Sequence, residues 1–215
     1  MASAPPKLYS YWRSTTSYRV RAALNLKGVA YLTEPVDLLA GRQHDDRYIS
    51  LNPGKGVPTL VLDDGTILTQ SMAILDFIEA NWPDPPLLPN DSVDRAHVLA
   101  AAHTVAIDVH PVNNLRVVRH LQDSIGVDAD TAKAWMQHWI LEGFEAFETL
   151  VSDRTVFAFG DAPDLADLCL VAQTYNAHRW GVDLAPFPNI ARIEAACLAV
   201  PAIAAAHPDK QPDAQ

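Results

Sequence analysis

Along the first third of the chain, short apolar runs alternate with helical periodicity. Residues 7–11 (Lys-Leu-Tyr-Ser-Tyr) form an apolar-aromatic run that predicts a strand. Over residues 16–27 apolar positions recur at helical spacing. Val20, Ala23, Leu24 and the stem of Lys27 share one face, and Gly28 ends the pattern. Residues 31–36 predict a second strand. Residues 57–62 and 66–69 flank Asp63-Asp64-Gly65, a hairpin signature, because the turn needs a residue that tolerates left-handed backbone. Ser71 then reads as the cap of a helix to about residue 81, with Ile74, Leu75 and Ile78 inward. Strand, helix, strand, weak helix, two strands, helix is the order of an α/β unit with a mixed sheet.

After residue 81 the pattern changes. Residues 83–89 contain four prolines, which cannot continue a helix or a sheet ladder, so residues 85–90 are read as a linker between domains at 1–84 and 91–215. Beyond it the periodicity is helical. A long segment spans residues 93–122 and should kink at Pro111. An amphipathic helix covers 130–151 and ends near Ser152-Asp153. Asp164 and Asp167 open another helix, which stops at Gly181. Short helices at 188–200 and 201–206 complete an all-α second domain.

Composition narrows the function classes. The 215 residues carry 16 basic and 26 acidic side chains, a formal charge of −10. That balance argues against nonspecific nucleic-acid or anionic-membrane binding, both of which need a basic footprint. The charge is uneven. Residues 1–85 hold 8 basic and 9 acidic side chains, and residues 86–215 hold 8 and 17. Two cysteines, Cys169 and Cys197, give no disulfide framework and no metal-binding pair. The N-terminus has neither a basic start nor a long apolar run, and no stretch is long enough to span a bilayer. The expectation is a reduced cytoplasmic protein.

Candidate chemistry sits at helix starts. In Trp12-Arg-Ser-Thr-Thr-Ser-Tyr-Arg-Val-Arg21 four consecutive hydroxyl residues, Ser14–Ser17, follow a strand and enter a helix. A helix N-terminus offers unpaired N–H groups and partial positive charge, so these hydroxyls read either as cap and turn residues or as donors to an anion such as a thiolate. In Asn52-Pro-Gly-Lys-Gly-Val-Pro-Thr-Leu60, a Val-Pro pair before a strand suits a cis proline beside a strand edge that a peptide can join, or an ordinary turn. Gln70-Ser71 stands at another helix start and suits a carboxylate or a plain cap. His103 and His110 are two helical turns apart with no completing cluster, so no metal site is expected.

Taken in order, these motifs resemble the glutathione transferase superfamily, and within it the zeta-class maleylacetoacetate and maleylpyruvate isomerases. The resemblance rests on Arg13-Ser-Thr-Thr-Ser-Tyr-Arg-Val-Arg-Ala-Ala-Leu24, Leu51-Asn-Pro with Val57-Pro-Thr-Leu60, and Gln70-Ser-Met-Ala-Ile74. It continues through Asp108-Val-His-Pro-Val-Asn-Asn-Leu115, Asp164-Leu-Ala-Asp167, Asn176-Ala-His-Arg179 and His207-Pro-Asp-Lys-Gln-Pro-Asp213. It implies a thioredoxin-like N-terminal domain with a four-stranded mixed sheet, an all-α C-terminal domain, and a homodimer. It also implies glutathione as cofactor in isomerising a maleyl keto acid to its fumaryl form during aromatic catabolism. The alternative function on the same fold is conjugation or dehalogenation of small electrophiles.

The resemblance also implies roles. Ser14 is the thiolate-facing hydroxyl. Thr16 stands where the family motif usually has cysteine, and Thr15 is a lesser alternative donor. Val57, before Pro58, pairs its backbone with glutathione. Gln70 and Ser71 hold the γ-glutamyl end, and Gln43 lies near the glycine end. Arg13 and Arg179 bind substrate carboxylates, a role suited to a bidentate guanidinium. His110 and Asn114 are placed near the substrate. Arg19 and Arg21 are expected to face away and to pair with the second domain.

Overall fold

A computed structural model describes residues 4–151 and 153–215. In chain order the elements are β1 (Lys7–Ser10), α1 (Thr15–Leu26), β2 (Leu32–Pro35), α2 (Asp46–Ile49), β3 (Thr59–Val61), β4 (Ile67–Thr69) and α3 (Ser71–Asn81). Then come α4 (Ser92–His103), α5 (Leu115–Arg119), α6 (Ala129–Leu150), α7 (Leu165–Arg179), α8 (Pro188–Ala199) and α9 (Pro201–Ala205). The expected end of α6 near Ser152-Asp153 falls partly outside the described residues, since Ser152 is not among them. Met1 to Ser3, the start of the N-terminal stretch expected to carry no signal, are also outside them.

The chain forms two compact units. The first comprises the described residues up to Pro86 together with Val200–Gln215, and the second is Leu87–Ala199. The second domain expected from sequence runs to residue 215, but its last sixteen residues belong to the first unit. α9 packs on α1. An amphipathic pattern shows that a helix has a face to bury, but it does not say which surface covers that face.

In the first unit the strands lie in the order β2-β1-β3-β4. β1 is parallel to β2, with Leu8 opposite Thr33, and antiparallel to β3, with Leu8 opposite Leu60. β3 and β4 close the expected hairpin, and Gly65 takes φ +86° in its turn. This is the mixed four-stranded sheet of a thioredoxin-like domain. Leu8, Leu60, Val20, Leu24, Ile74 and Ile78 are fully buried between the sheet and its helices. Lys27, at the end of α1, is joined to α3 by a buried ion pair with Glu79 at 2.5 Å and also donates to the Pro85 carbonyl at 2.6 Å.

The second unit is helical. α7 is buried along nearly its whole length and packs against α4 and α8. The segment expected as one kinked helix is α4, a π-helical stretch (Thr104–Val109), a 3-10 turn (His110–Val112), α5 and a second π-helical stretch (His120–Ile125). Gly143 on α6 permits close approach there, since a Cβ would sit 2.0 Å from Val109 Cγ2.

Candidate active site

The start of α1 is built from hydroxyls. Ser14 is extended and its Oγ accepts the Ser17 N–H at 3.2 Å, a standard N-cap. The first turn contains Thr15, Thr16 and Ser17 and no acidic side chain. Thr16 Oγ1 donates to the Val57 carbonyl at 2.7 Å and lies 2.8 Å from Ser14 Oγ. A hydroxyl has one proton to give. Thr16's is committed to Val57, so Ser14 donates to Thr16. The Ser14 proton is the one that can turn toward an incoming anion. Thr16 thus ties the helix start to the loop carrying the cis Val57–Pro58 bond.

That loop is held from below. Tyr48 Oη donates to the Gly56 carbonyl at 2.5 Å, and Asn52 Nδ2 donates to the same oxygen at 2.8 Å. Asn52 also donates to Thr59 Oγ1 at 3.0 Å and accepts the Gly54 N–H at 2.9 Å. Burial pushes the Tyr48 phenol above its ordinary value, against hydrogen bonds from Thr59 and Asn52. Sequence reasoning marks neither Tyr48 nor Asn52 as functional. The available signal is an Asn ahead of a Pro-Gly pair, a familiar Asx-turn opening.

At α3 the expectation needs correcting. Ser71 is not the cap: Gln70 occupies that position at φ +70°, with no side-chain capping bond, and Ser71 is the first helical residue. Ser71 Oγ accepts from Arg19 Nη1 at 3.5 Å. Gln43, in a 3-10 turn (Arg42–His44), is buried, and its Oε1 has no hydrogen-bond partner among the described residues. Of the arginines of α1, Arg19 departs from expectation and reaches Ser71, while Arg21 does reach Ala206 of the predicted 91–215 domain, although that segment belongs to the first unit, and also Ser10 and Trp12; both are buried. Their alternation on the helix does not reveal that the loop before α1 and the C-terminal segment cover them.

Arg13 is half-buried, with its guanidinium 5.2 Å from the Trp12 ring centroid. In the second unit, Arg179 ends α7, donates to Asn176 Oδ1 at 3.2 Å and lies 6.0 Å from the Trp180 ring. His110 begins the 3-10 turn before α5. Asn114 caps α5, accepting the Val117 N–H at 3.2 Å and donating to the Pro111 carbonyl at 3.0 Å. Ser14, Thr16, Val57 and Pro58 therefore form one connected cluster. His110 and Asn114 share one turn of the second unit.

Residues 4–80 match the glutathione S-transferase N-terminal domain. Over 205 residues the chain is 45% identical to maleylacetoacetate isomerase of Rhizobium meliloti, covering 94% of this chain and 96% of that one. The chain belongs to the maleylacetoacetate/maleylpyruvate isomerase family. It is also 44% identical to maleylpyruvate isomerase of a Ralstonia species, over 96% of this chain and 99% of that one. A crystal structure of maleylacetoacetate isomerase from Anaeromyxobacter dehalogenans with bound GSH superimposes with a TM-score of 0.89. Its identity is 44%, and the match covers 100% of both chains. The same protein has been solved with dicarboxyethyl glutathione and citrate in its active site. Members named for either substrate match this chain almost equally well, so family membership alone does not choose between them.

Proposed function

We propose that the chain is a glutathione-dependent cis–trans isomerase of a maleyl keto acid, maleylacetoacetate or maleylpyruvate. The observation that carries this reading is the acid-free hydroxyl cluster at the start of α1, in which Thr16 donates to Val57 and Ser14, paired with Thr16, has a proton that can be redirected to an anion. Bound glutathione supplies a thiolate that adds to the cis double bond, permits rotation about the resulting single bond and is then expelled, so it is regenerated.

The residues present fit that cofactor. Gln43 offers a buried acceptor without a partner among the described residues, and the cap of α3, Gln70, makes no side-chain capping bond to a first turn that contains no acid. Both helix starts suit anionic groups. A free thiol ionises near 8.5, so Ser14 and the N–H groups of α1 must favour the anion at neutral pH. Thr16 holds Ser14 in place and leaves its proton free to turn. Val57 and Pro58 present the strand edge, and Gln70 and Ser71 take the γ-glutamyl end. Arg13 and Arg179 are assigned to substrate carboxylates, and His110 and Asn114 are assigned as further substrate-binding residues.

The same proposal includes a cytoplasmic homodimer acting in aromatic catabolism. Among the described residues no helix is long and apolar enough to cross a membrane. An ultraviolet assay of both maleyl substrates, with glutathione measured before and after, tests the reading. Turnover that needs glutathione and leaves its concentration unchanged is expected. Consumption of one glutathione per turnover would instead make the chain a conjugating transferase.

A further inference from the structure

The loop that carries Arg13 and Ser14 is fixed by residues from opposite ends of the sequence. Ser14 N–H donates to the Tyr11 carbonyl at 3.0 Å, which closes a turn over residues 11–14. Arg21, fully buried on α1, donates to the Trp12 carbonyl at 3.0 Å, to Ser10 Oγ at 2.9 Å and, at 3.4 Å, to the Tyr11 carbonyl. The same guanidinium donates to the Ala206 carbonyl at 3.1 Å. Seven residues further on, Asp213 Oδ2 accepts the Trp12 N–H at 3.0 Å. The C-terminal segment is itself anchored on α1. Asn25 Nδ2 donates to the Ala202 carbonyl at 2.9 Å, and the His207 ring meets Tyr18 edge-on at 5.9 Å.

We infer that Asp213 is a positioning residue, which together with Arg21 clamps the Trp12 backbone, Asp213 through its N–H and Arg21 through its carbonyl, and so aims Ser14. The inference rests on the proposed role of Ser14. An N–H at the base of a turn has two ways to be satisfied, water or a fixed acceptor, and only the acceptor sets the direction of the peptide that follows. Arg21 holds the carbonyl side from within the helix. Asp213 holds the N–H side from the chain terminus. Without it the turn keeps its carbonyl contacts but can rotate about them, and Ser14 moves with it.

The test compares Asp213→Ala, Asp213→Asn and Ser14→Ala by steady-state kinetics and by pH titration of the thiolate absorbance of enzyme-bound glutathione. Asp213→Ala is expected to lower kcat about 10-fold, since small displacements of a catalytic group are costly in rate. It should raise the bound thiol pKa by about half a unit to one unit, as Ser14 loses its aim. Glutathione affinity in acid, where the thiol is neutral, should stay unchanged. Asp213→Asn keeps an acceptor oxygen and should restore both readouts. A wild-type thiol pKa in Asp213→Ala, or an Asn variant as impaired as the Ala variant, overturns the clamp. Ser14→Ala separates the two ideas. If it shifts the bound thiol and Asp213→Ala does not, only the clamp fails. If Ser14→Ala itself leaves the thiol unmoved, the role of Ser14 and the clamp fall together.

Discussion

The starts of α1 and α7 answer the same physical problem in opposite ways. Each leaves N–H groups without intrahelical partners and concentrates partial positive charge. At α7 the chain supplies two carboxylates of its own. Asp164 Oδ1 accepts from Ala166 and Asp167 N–H, and Asp167 reaches back to the Asp164 N–H at 2.7 Å and on to Ala158 N–H at 2.8 Å. The reciprocal capping box is closed, and both acids are buried. At α1 the cap is a single half-buried serine, and the first turn has hydroxyls where α7 has an acid. A helix end whose N–H groups are taken up by its own acid side chains has none to spare for a ligand. One capped by a single neutral hydroxyl keeps N–H groups and positive potential for a ligand. The difference separates a structural helix start from a binding one.

Converting one kind into the other gives the largest expected effect. Ser14→Asp makes the start of α1 resemble that of α7. Aspartate caps as well as serine, so stability should stay within about 0.5 kcal/mol of wild type. A fixed negative charge where the thiolate belongs should raise the bound thiol pKa and cut kcat/KM by at least about 1,000-fold, comparable with losing a key electrostatic contact. Urea denaturation and the ultraviolet assay read the two quantities. Activity near wild type would show that the start of α1 is merely a cap.

The two helix starts are not equally legible in the sequence. Asp164 and Asp167 stand at the cap and third-position spacing before an apolar run, and every partner they use lies within nine residues. Local sequence therefore suffices. The hydroxyl run at residues 14–17 is visible too, yet local sequence leaves its reading divided, because the deciding contact, Thr16 to Val57, crosses 41 positions. Arg21 and Asp213 are harder still. Their shared target lies 201 residues from Asp213, and no periodicity encodes such a pairing. Ser71 shows a different limit. The residue type suits a cap, but capping is a property of backbone conformation, and Gln70 takes the position at positive φ.

The second test acts on the closed end. Asp167→Ala leaves the buried N–H groups of Ala158 and Asp164 without their acceptor. Each orphaned donor costs about 1–3 kcal/mol, so a loss of about 3 kcal/mol in urea denaturation is expected. The folded fraction should keep its kcat, because nothing at the start of α1 has changed. A parallel fall in kcat and stability would mean that the two helix starts do not divide structure from chemistry.

The smallest effect is the pH dependence that the closed end must carry. Burial pushes Asp164 up to about 6 and Asp167 well above the usual carboxylate range, the latter helped by repulsion from Asp164. A carboxyl group raised on folding binds its proton more tightly in the native chain. Its contribution to stability is therefore complete below the unfolded value near 3.9 and is lost as pH rises through the folded value. For Asp164 alone, a shift of about two units corresponds to on the order of 2–3 kcal/mol lost between about pH 4 and pH 7. Asp164→Asn keeps a capping oxygen but cannot ionise. The stability of wild type relative to this variant should therefore fall across that interval. A flat difference would mean that the N–H bonds outweigh burial and that the carboxylate is stable as an ion inside the helix end. The start of α7 would then be as hospitable to an anion as the start of α1. Occupancy by its own side chains, rather than any electrostatic difference, would be all that distinguishes the two.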